Sequence, residues 1–186
     1  MSRFTIHETP ISHLKVLERR IMGDSRGFLT RLFCFEELKE EGWNKPVMQI
    51  NHTMTQKVGT IRGMHFQLPP NSEIKLVTCM RGAIWDVAVD LRSDSPTFLQ
   101  WYATELSASN QRALLIPEGF AHGFQALSGE SEVLYLHSSI YAPELESGIN
   151  PFDPMLSITW PKAISELSTK DSQHPYLNDQ FTGIKL

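Results

Sequence analysis

The side chains best suited to moving protons fall in a few short segments. His65 lies in Gly59-Thr-Ile-Arg-Gly-Met-His-Phe-Gln67, with Arg62 three residues before it and Lys75 ten after it. An imidazole titrates near neutrality and can take or return a proton. Two cations so near it argue for more than packing, although a histidine between Met64 and Phe66 also fits a satisfied core position. Lys75, flanked by Ile74, Leu76 and Val77, fits equally a lysine that snorkels from an edge strand. A second histidine, His122, follows Pro117-Glu-Gly-Phe-Ala, and Tyr135 and His137 stand two apart in Tyr-Leu-His. Asp171, in Leu-Ser-Thr-Lys-Asp, is an ordinary turn carboxylate unless it meets a histidine. If it does, it fixes the imidazole's tautomer and strengthens it as a base.

Strands are the elements that must position these groups. From Ala83 to Leu91, residues Trp85, Val87, Val89 and Leu91 alternate with Ile84, Asp86, Ala88 and Asp90, and Val133, Tyr135 and His137 alternate with Leu134 and Leu136. A period of two is the mark of a strand. A strand over 59–67 sets His65 and Gln67 on one face and Met64 and Phe66 on the other. Turn signals recur at short intervals: Asp24 to Gly27, Leu68 to Asn71, Arg81-Gly82, Ser93 to Pro96, Pro117 to Gly119 and Ser128-Gly129. Short strands so spaced predict an all-β antiparallel sandwich or barrel, here with a polar interior. Helical signals are sparse: an acidic stretch, Phe35 to Gly42, ended by a glycine cap, and a weaker one around Ile164 to Leu167. Neither Gly-x-Gly-x-x-Gly nor Gly-x-x-x-x-Gly-Lys occurs, which removes the usual dinucleotide and P-loop readings.

Lys and Arg number 17 against 21 Asp and Glu, a net charge of −4 with no basic block, so the chain lacks the footprint of a nucleic-acid binder. With 41% hydrophobic and 20% charged residues it reads as globular, and 186 residues favour one domain over 1–186. No apolar run approaches the roughly 20 residues that cross a bilayer, and the N-terminus has no signal-peptide core. Cys34 and Cys79 form neither a disulfide framework nor a metal-ligand spacing and are expected as buried or half-buried thiols. A cytoplasmic protein with no membrane partner is the expectation.

Pro117-x-Gly119-x-x-His122 resembles the second sequence motif of the cupin barrels, in which the histidine can ligate a metal. The first cupin motif normally supplies His-x-His and then a glutamate; the matching place here reads His65-Phe66-Gln67. His65, His122 and Glu73 form a ligand set on paper, but Gln67 is a poor substitute for an imidazole at a transition metal. A metal-dependent enzyme and a non-catalytic sugar or nucleotide binder therefore stand as alternatives to acid-base catalysis.

The segments taken together resemble the dTDP-4-dehydrorhamnose 3,5-epimerases, which are cupin-type jelly-roll enzymes. The resemblance rests on Gly23 to Phe28, Gln49-Ile-Asn51, Gly59 to Gln67, Lys75-Leu-Val, Asp86 to Arg92 and Ser95 to Phe98. It continues through Ile116 to Phe124, Tyr135, Tyr141 to Glu144, Asp153-Pro, Ile158 to Pro161 and Leu167 to Asp171, covering about residues 20 to 171. It implies a cofactor-independent epimerase acting at C3 and C5 of a nucleotide-linked 4-keto-6-deoxyhexose. By resemblance His65 is the base, Asp171 its carboxylate partner, Lys75 the cation at the keto oxygen and Tyr135 the acid on the opposite face. The physical logic agrees: a proton next to a ketone leaves only if the enolate is stabilised, and inversion needs a second proton carrier. Arg26, Gln49, Asn51 and Arg62 match pyrophosphate and nucleoside contacts, Tyr141 an aromatic near the base, and His122 a further substrate-binding position. Arginine suits pyrophosphate through its forked donors. The chain departs from the family pattern at Arg31, where a glutamate that contacts the base is common, at Leu136, at Pro151-Phe152 and at Phe66. The first of these leaves a CDP-linked sugar open, and a mono-epimerase or ketoisomerase uses the same residues. The resemblance further implies a homodimer in which the N-terminal segment, through about Val16, adds a strand to its neighbour's sheet.

Overall fold

Period-two alternation becomes sheet wherever these segments show it. The computed structural model describes residues 2–186. The strands are β1 (Phe4–Glu8), β2 (Lys15–Arg19), β3 (Ile21–Asp24), β4 (Gly27–Thr30), β5 (Gln49–Thr55), β6 (Ile61–Gln67), β7 (Lys75–Arg81), β8 (Ala83–Asp90), β9 (Trp101–Ser107), β10 (Arg112–Ile116), β11 (Phe120–Ala126), β12 (Ser131–His137) and β13 (Glu146–Gly148). Two single-turn helices join them, α1 (Phe35–Leu38) and α2 (Thr169–Ser172). One sheet has the order β1-β2-β10-β7-β12-β5, the other β13-β6-β11-β8-β9, and β3-β4 stand apart as a hairpin. Every strand pair is antiparallel. Side chains from both large sheets meet in one cluster, Val16, Val77, Leu114 and Val133 against Ile84, Ala88, Leu106 and Phe124. This is the cupin-like jelly roll that the turn spacing and the resemblance predict, and each predicted turn lies at a strand junction.

Both alternating strands are covered on two sides, which is why neither shows a clean polar face. On β8, Ile84 and Ala88 point between the sheets. Val87 and Val89 point outward, where Ile149, Leu156 and Ile184 cover them. On β12, Val133 and Tyr135 face inward, whereas Leu136 packs outward against Leu38 and Trp43. The C-terminal segment is thus a lid on the outer face of the five-stranded sheet. Paired side-chain to backbone bonds pin it: Gln125 donates to Lys162 O (3.0 Å) and accepts from Lys162 N (2.9 Å). The Trp101 indole donates to Leu156 O (2.8 Å). The stretch Asp86 to Arg92 ends in a structural corner, where Arg92 pairs with Asp90 (2.6 Å) and lies over the Phe120 ring.

Two expectations are corrected. The helix predicted over Phe35 to Gly42 is one turn, Phe35–Leu38. Trp43 N already bonds back to Leu38 O (2.9 Å) with Gly42 at φ +118°, so the glycine closes the helix as expected but earlier. Ile164 to Leu167 is extended and forms a bridge from Leu167 to Ile61; the helical turn comes just after it, capped by Ser168. Within the single chain, β1 pairs with β2 from Phe4↔Arg19 to Glu8↔Lys15 and forms the edge of the six-stranded sheet, with Phe4 buried.

One irregularity matters for the site. Between the pairs His65↔His122 and Arg62↔Phe124, β6 advances three residues while β11 advances two. That extra residue is a bulge. Uniform alternation puts residues three apart on opposite faces; the bulge lets Arg62 and His65 line the same wall. Gly63 sits in it at φ +128°, and a Cβ there would lie 2.5 Å from Gly123 Cα and 2.9 Å from His122 O. Gly63→Ala is therefore expected to cost about 2–4 kcal/mol of stability. A thermal melt that matches wild type would overturn this account of the bulge.

Candidate active site

A cavity of about 640 Å³ opens between the two sheets. Gln49, Asn51, Arg62, His65, Lys75, His122, Tyr135, Tyr141 and Asp171 all line it. Arg26 does not. It sits at the β3-β4 hairpin turn, where its backbone and guanidinium both bond Asp24 (2.9 and 2.6 Å) and its side chain is 88% exposed. Within one chain it belongs to no cavity wall that His65 shares.

His65 Nε2 lies 2.7 Å from Asp171 Oδ1, a contact across 106 positions of sequence. Asp171 is buried, and burial alone would raise its pKa; the hydrogen bond and charge of His65, the amide of Gly63 (3.2 Å) and the Ser168 hydroxyl outweigh that and hold it below the usual carboxylate range. With Nε2 turned to the carboxylate, Nδ1 is the ring nitrogen left to act as a base.

Opposite this wall, β7 and β12 of the six-stranded sheet present Lys75, Tyr135 and His137. Lys75 does not snorkel: it is buried, 3.1 Å from Glu73 Oε1 and 3.4 Å from the His65 carbonyl. Burial pushes the Glu73 carboxyl upward, but Lys75 and a hydrogen bond to His137 overcome this and hold it at about 2. Tyr135 is half-buried, and loss of solvent pushes its phenol up, so it is protonated at neutral pH and can donate. As expected, Tyr135 and His137 share a face, with stacked rings 6.1 Å apart.

His122 stands beside His65 in register on β11 and is bonded to the fully buried Asp86 (2.8 Å), whose pKa burial raises. At the mouth, Arg62 donates to the Thr55 hydroxyl (3.0 Å). The exposed Tyr141 bonds Glu146 (2.7 Å), and its amide bonds Gln49 Oε1 (3.2 Å). Gln67 is structural: its amide donates to Asn71 O and Ile140 O and accepts from Ala142 N.

The metal set drawn on paper does not converge, since His122 is held by Asp86 and Glu73 by Lys75 and His137. A different trio, His65, Asp171 and His174, has donor atoms within 4.8 Å of one another. Its His65–Asp171 contact of 2.7 Å is a hydrogen bond, tighter than the roughly 3.4 Å between ligands of a tetrahedral ion. His174 was not singled out in the sequence, although its i, i+3 spacing from Asp171 brings it to the dyad. Its ring packs edge-on to His65 and against Gly148, and burial and the neighbouring His65 lower its pKa. Glu73 and His137 were likewise not read as a pair, because 64 residues separate them. The signal that was available is the shared face of Tyr135 and His137.

An imidazole on one wall, with a phenol and a buried ammonium on the facing one, forms an arrangement that can move a carbon-bound proton from one face to the other.

Comparison with known proteins agrees. The family model described as dTDP-4-dehydrorhamnose 3,5-epimerase matches residues 8–179. The dTDP-4-dehydrorhamnose 3,5-epimerase of Salmonella typhimurium is 43% identical over 175 residues, covering 92% of this chain and 94% of that protein. Among solved structures, dTDP-6-deoxy-D-glucose-3,5-epimerase from Legionella pneumophila, in complex with dTDP-4-keto-L-rhamnose, superposes with a TM-score of 0.91 at 38% identity, covering 98% of each chain. A 3'-monoepimerase from Streptomyces bikiniensis, in complex with dTDP-quinovose, does so with a TM-score of 0.84 at 34% identity, covering 91% of this chain and 86% of that one. On sequence, fold and site together, this chain belongs to the dTDP-4-dehydrorhamnose 3,5-epimerase family.

Proposed function

We propose that the cavity inverts C3 and C5 of dTDP-4-dehydro-6-deoxyglucose to give dTDP-4-dehydrorhamnose. The observation that carries this reading is the His65–Asp171 pair facing Tyr135 across a cavity that also holds Lys75. His65 Nδ1 takes the proton next to the ketone. Asp171 holds the imidazolium that results, Lys75 stabilises the enolate oxygen, and Tyr135 returns a proton from the other face. Protons are exchanged but no electrons are gained or lost, so the reaction calls for no redox cofactor. Arg62, Gln49 and Asn51 hold the pyrophosphate and nucleoside, Tyr141 lies by the base, and His122, fixed by Asp86, contacts the sugar beside His65.

The enzyme acts, on this reading, as one unit over 1–186 in the cytoplasm, where its unpaired Cys34 and Cys79 suit a reducing compartment. It acts as a homodimer. The support is a run of exposed apolar side chains on the separate hairpin, Phe28 at 66% and Leu29 at 61%, and on the edge strand β5, Ile50 at 61%. Seating one chain's hairpin along the partner's β5 covers both, and carries Arg26 toward a neighbouring cavity where it can meet pyrophosphate. Among the described residues no helix is long and apolar enough to cross a membrane.

The test is solvent-deuterium incorporation. The purified protein is incubated in D2O with dTDP-4-keto-6-deoxyglucose or its CDP counterpart. Label at both C3 and C5 with the dTDP sugar is the expected result. A single label makes the protein a mono-epimerase or ketoisomerase, and preference for the CDP sugar reassigns the base. No label with either overturns the proton-transfer reading. In Tyr135→Phe, inversion should fall further than exchange, because abstraction by His65 survives; equal loss of both would count against Tyr135 as the opposite-face acid.

A further inference from the structure

Inverting two carbons requires two protons delivered from the face opposite the base, and Tyr135 supplies one hydroxyl. The jelly roll itself does not set the number of inverted centres, since a 3'-monoepimerase shares it at a TM-score of 0.84. The wall opposite His65, from which the returning protons come, is one place that can set that number. Here that wall holds a second proton donor in His137, two positions along β12 from Tyr135 and directly across from Lys75 in the β7-β12 register. Glu73, only 10% exposed, binds His137 Nδ1 with Oε2 (2.8 Å) and Lys75 Nζ with Oε1 (3.1 Å). One buried carboxylate thus holds both an imidazole and the ammonium proposed for the keto oxygen. The remaining ring nitrogen, Nε2, lies 3.4 Å from the Asn51 amide. That amide offers both an oxygen and an NH2, so it accommodates either protonation state.

We propose that His137, backed by Glu73, is a second catalytic acid: of the two carbons flanking the ketone, Tyr135 reprotonates one and His137 the other. The proposal rests on the epimerase reading and extends it. In the step assigned to His137, the carbon–hydrogen bond breaks toward His65 and its electron pair forms the enolate, with the charge on the oxygen beside Lys75. The enolate then takes the Nε2 proton of the His137 imidazolium on the other face, which restores the ketone. His65 has gained one proton and His137 has lost one, and exchange with solvent returns both to their starting states.

A bland alternative is that Glu73 and His137 only anchor Lys75, which would slow chemistry at both carbons alike. The experiment is His137→Gln beside wild type in D2O with dTDP-4-keto-6-deoxyglucose, each centre followed by NMR. The expected result is exchange at both carbons, inversion at one carbon close to wild type, and inversion at the other reduced about 10²–10³-fold. Tyr135→Phe, run in parallel, should lose the complementary centre. Equal slowing of both centres in His137→Gln, no change at either, or loss of both centres in Tyr135→Phe would overturn the proposal. A variant that fails to fold is recognised by circular dichroism, and His137→Asn then takes its place with the same outcomes. If wild type takes up no deuterium, the epimerase reading fails and this proposal falls with it; if wild type inverts both centres and the variants do not separate them, this proposal alone fails.

Discussion

His65→Ala is expected to reduce deuterium exchange at both carbons by about 10³–10⁴-fold, because it removes the proposed base for both abstractions. Nothing else on its wall can take over. His122 is committed to Asp86, and the His174 ring is turned edge-on behind His65, with Nε2 buried. Binding of dTDP should change by only a few fold, since the proposed nucleotide contacts lie on other residues. The variant also leaves the Asp171 carboxylate without its imidazole, although it still accepts from Gly63 N and the Ser168 hydroxyl. In wild type the depressed Asp171 pKa contributes stability above the ordinary carboxylate pKa, and that contribution is lost as pH falls through the folded value. In His65→Ala the loss should begin at higher pH. Exchange measured by NMR and acid-induced unfolding together check both halves; substantial residual exchange would remove His65 from its role.

Lys75→Met should have two separable effects. Removing the cation proposed for the enolate oxygen is expected to lower turnover about 10²–10³-fold, the usual loss when a preorganised charge is deleted. The second effect is on folding, because Glu73 is left buried with His137 alone. Breaking one side of a buried ion pair costs about 3–5 kcal/mol near neutral pH. The sign of the pH dependence follows from Glu73, held at about 2 against an ordinary 4.5. A depressed carboxyl adds stability above its unfolded pKa and loses it as pH falls toward the folded one, so wild type should weaken between about 4.5 and 2. The gap between wild type and Lys75→Met should narrow over that same interval, as Glu73 becomes neutral in both. Adding Glu73→Gln to Lys75→Met should recover most of the stability but none of the turnover. Recovery of turnover would show that the ammonium does not act on substrate.

The strands were legible because their apolar residues alternate, and β8 and β12 were read nearly to their ends. What alternation could not convey is that both faces of each strand are buried, since a covered outer face depends on segments far away in the chain. Phe35 to Gly42 carries helix-forming residues and a good stop, but the chain turns back at Gly42 to bury Trp43, whose amide bonds the Leu38 carbonyl. Ile164 to Leu167 is drawn into extension by its bridge to Ile61, a tertiary contact that overrides a weak local preference. Within the site, resemblance named His65, Lys75, Tyr135 and Asp171, and all four line one cavity. The Glu73–His137 pair and His174 were missed because their meaning comes only from three-dimensional neighbours. Arg26 shows the converse: its motif was read, but the hairpin that carries it contributes no wall to its own chain's cavity.

The lid over the five-stranded sheet has a consequence for the order in which the molecule is made. Synthesis runs from the N-terminus, and a growing chain that has released β12 already owns His65, Lys75 and Tyr135. Its base has no carboxylate, and the outer face of β8 has no cover. Asp171 arrives only with the stretch that follows β13, the one that buries Val87 and Val89 beneath Ile149, Leu156 and Ile184. Burial of that face and completion of the base therefore come as a single event. A nascent or clipped chain lacking this stretch is expected to have His65 without its carboxylate partner and an apolar sheet face open to chaperones and proteases.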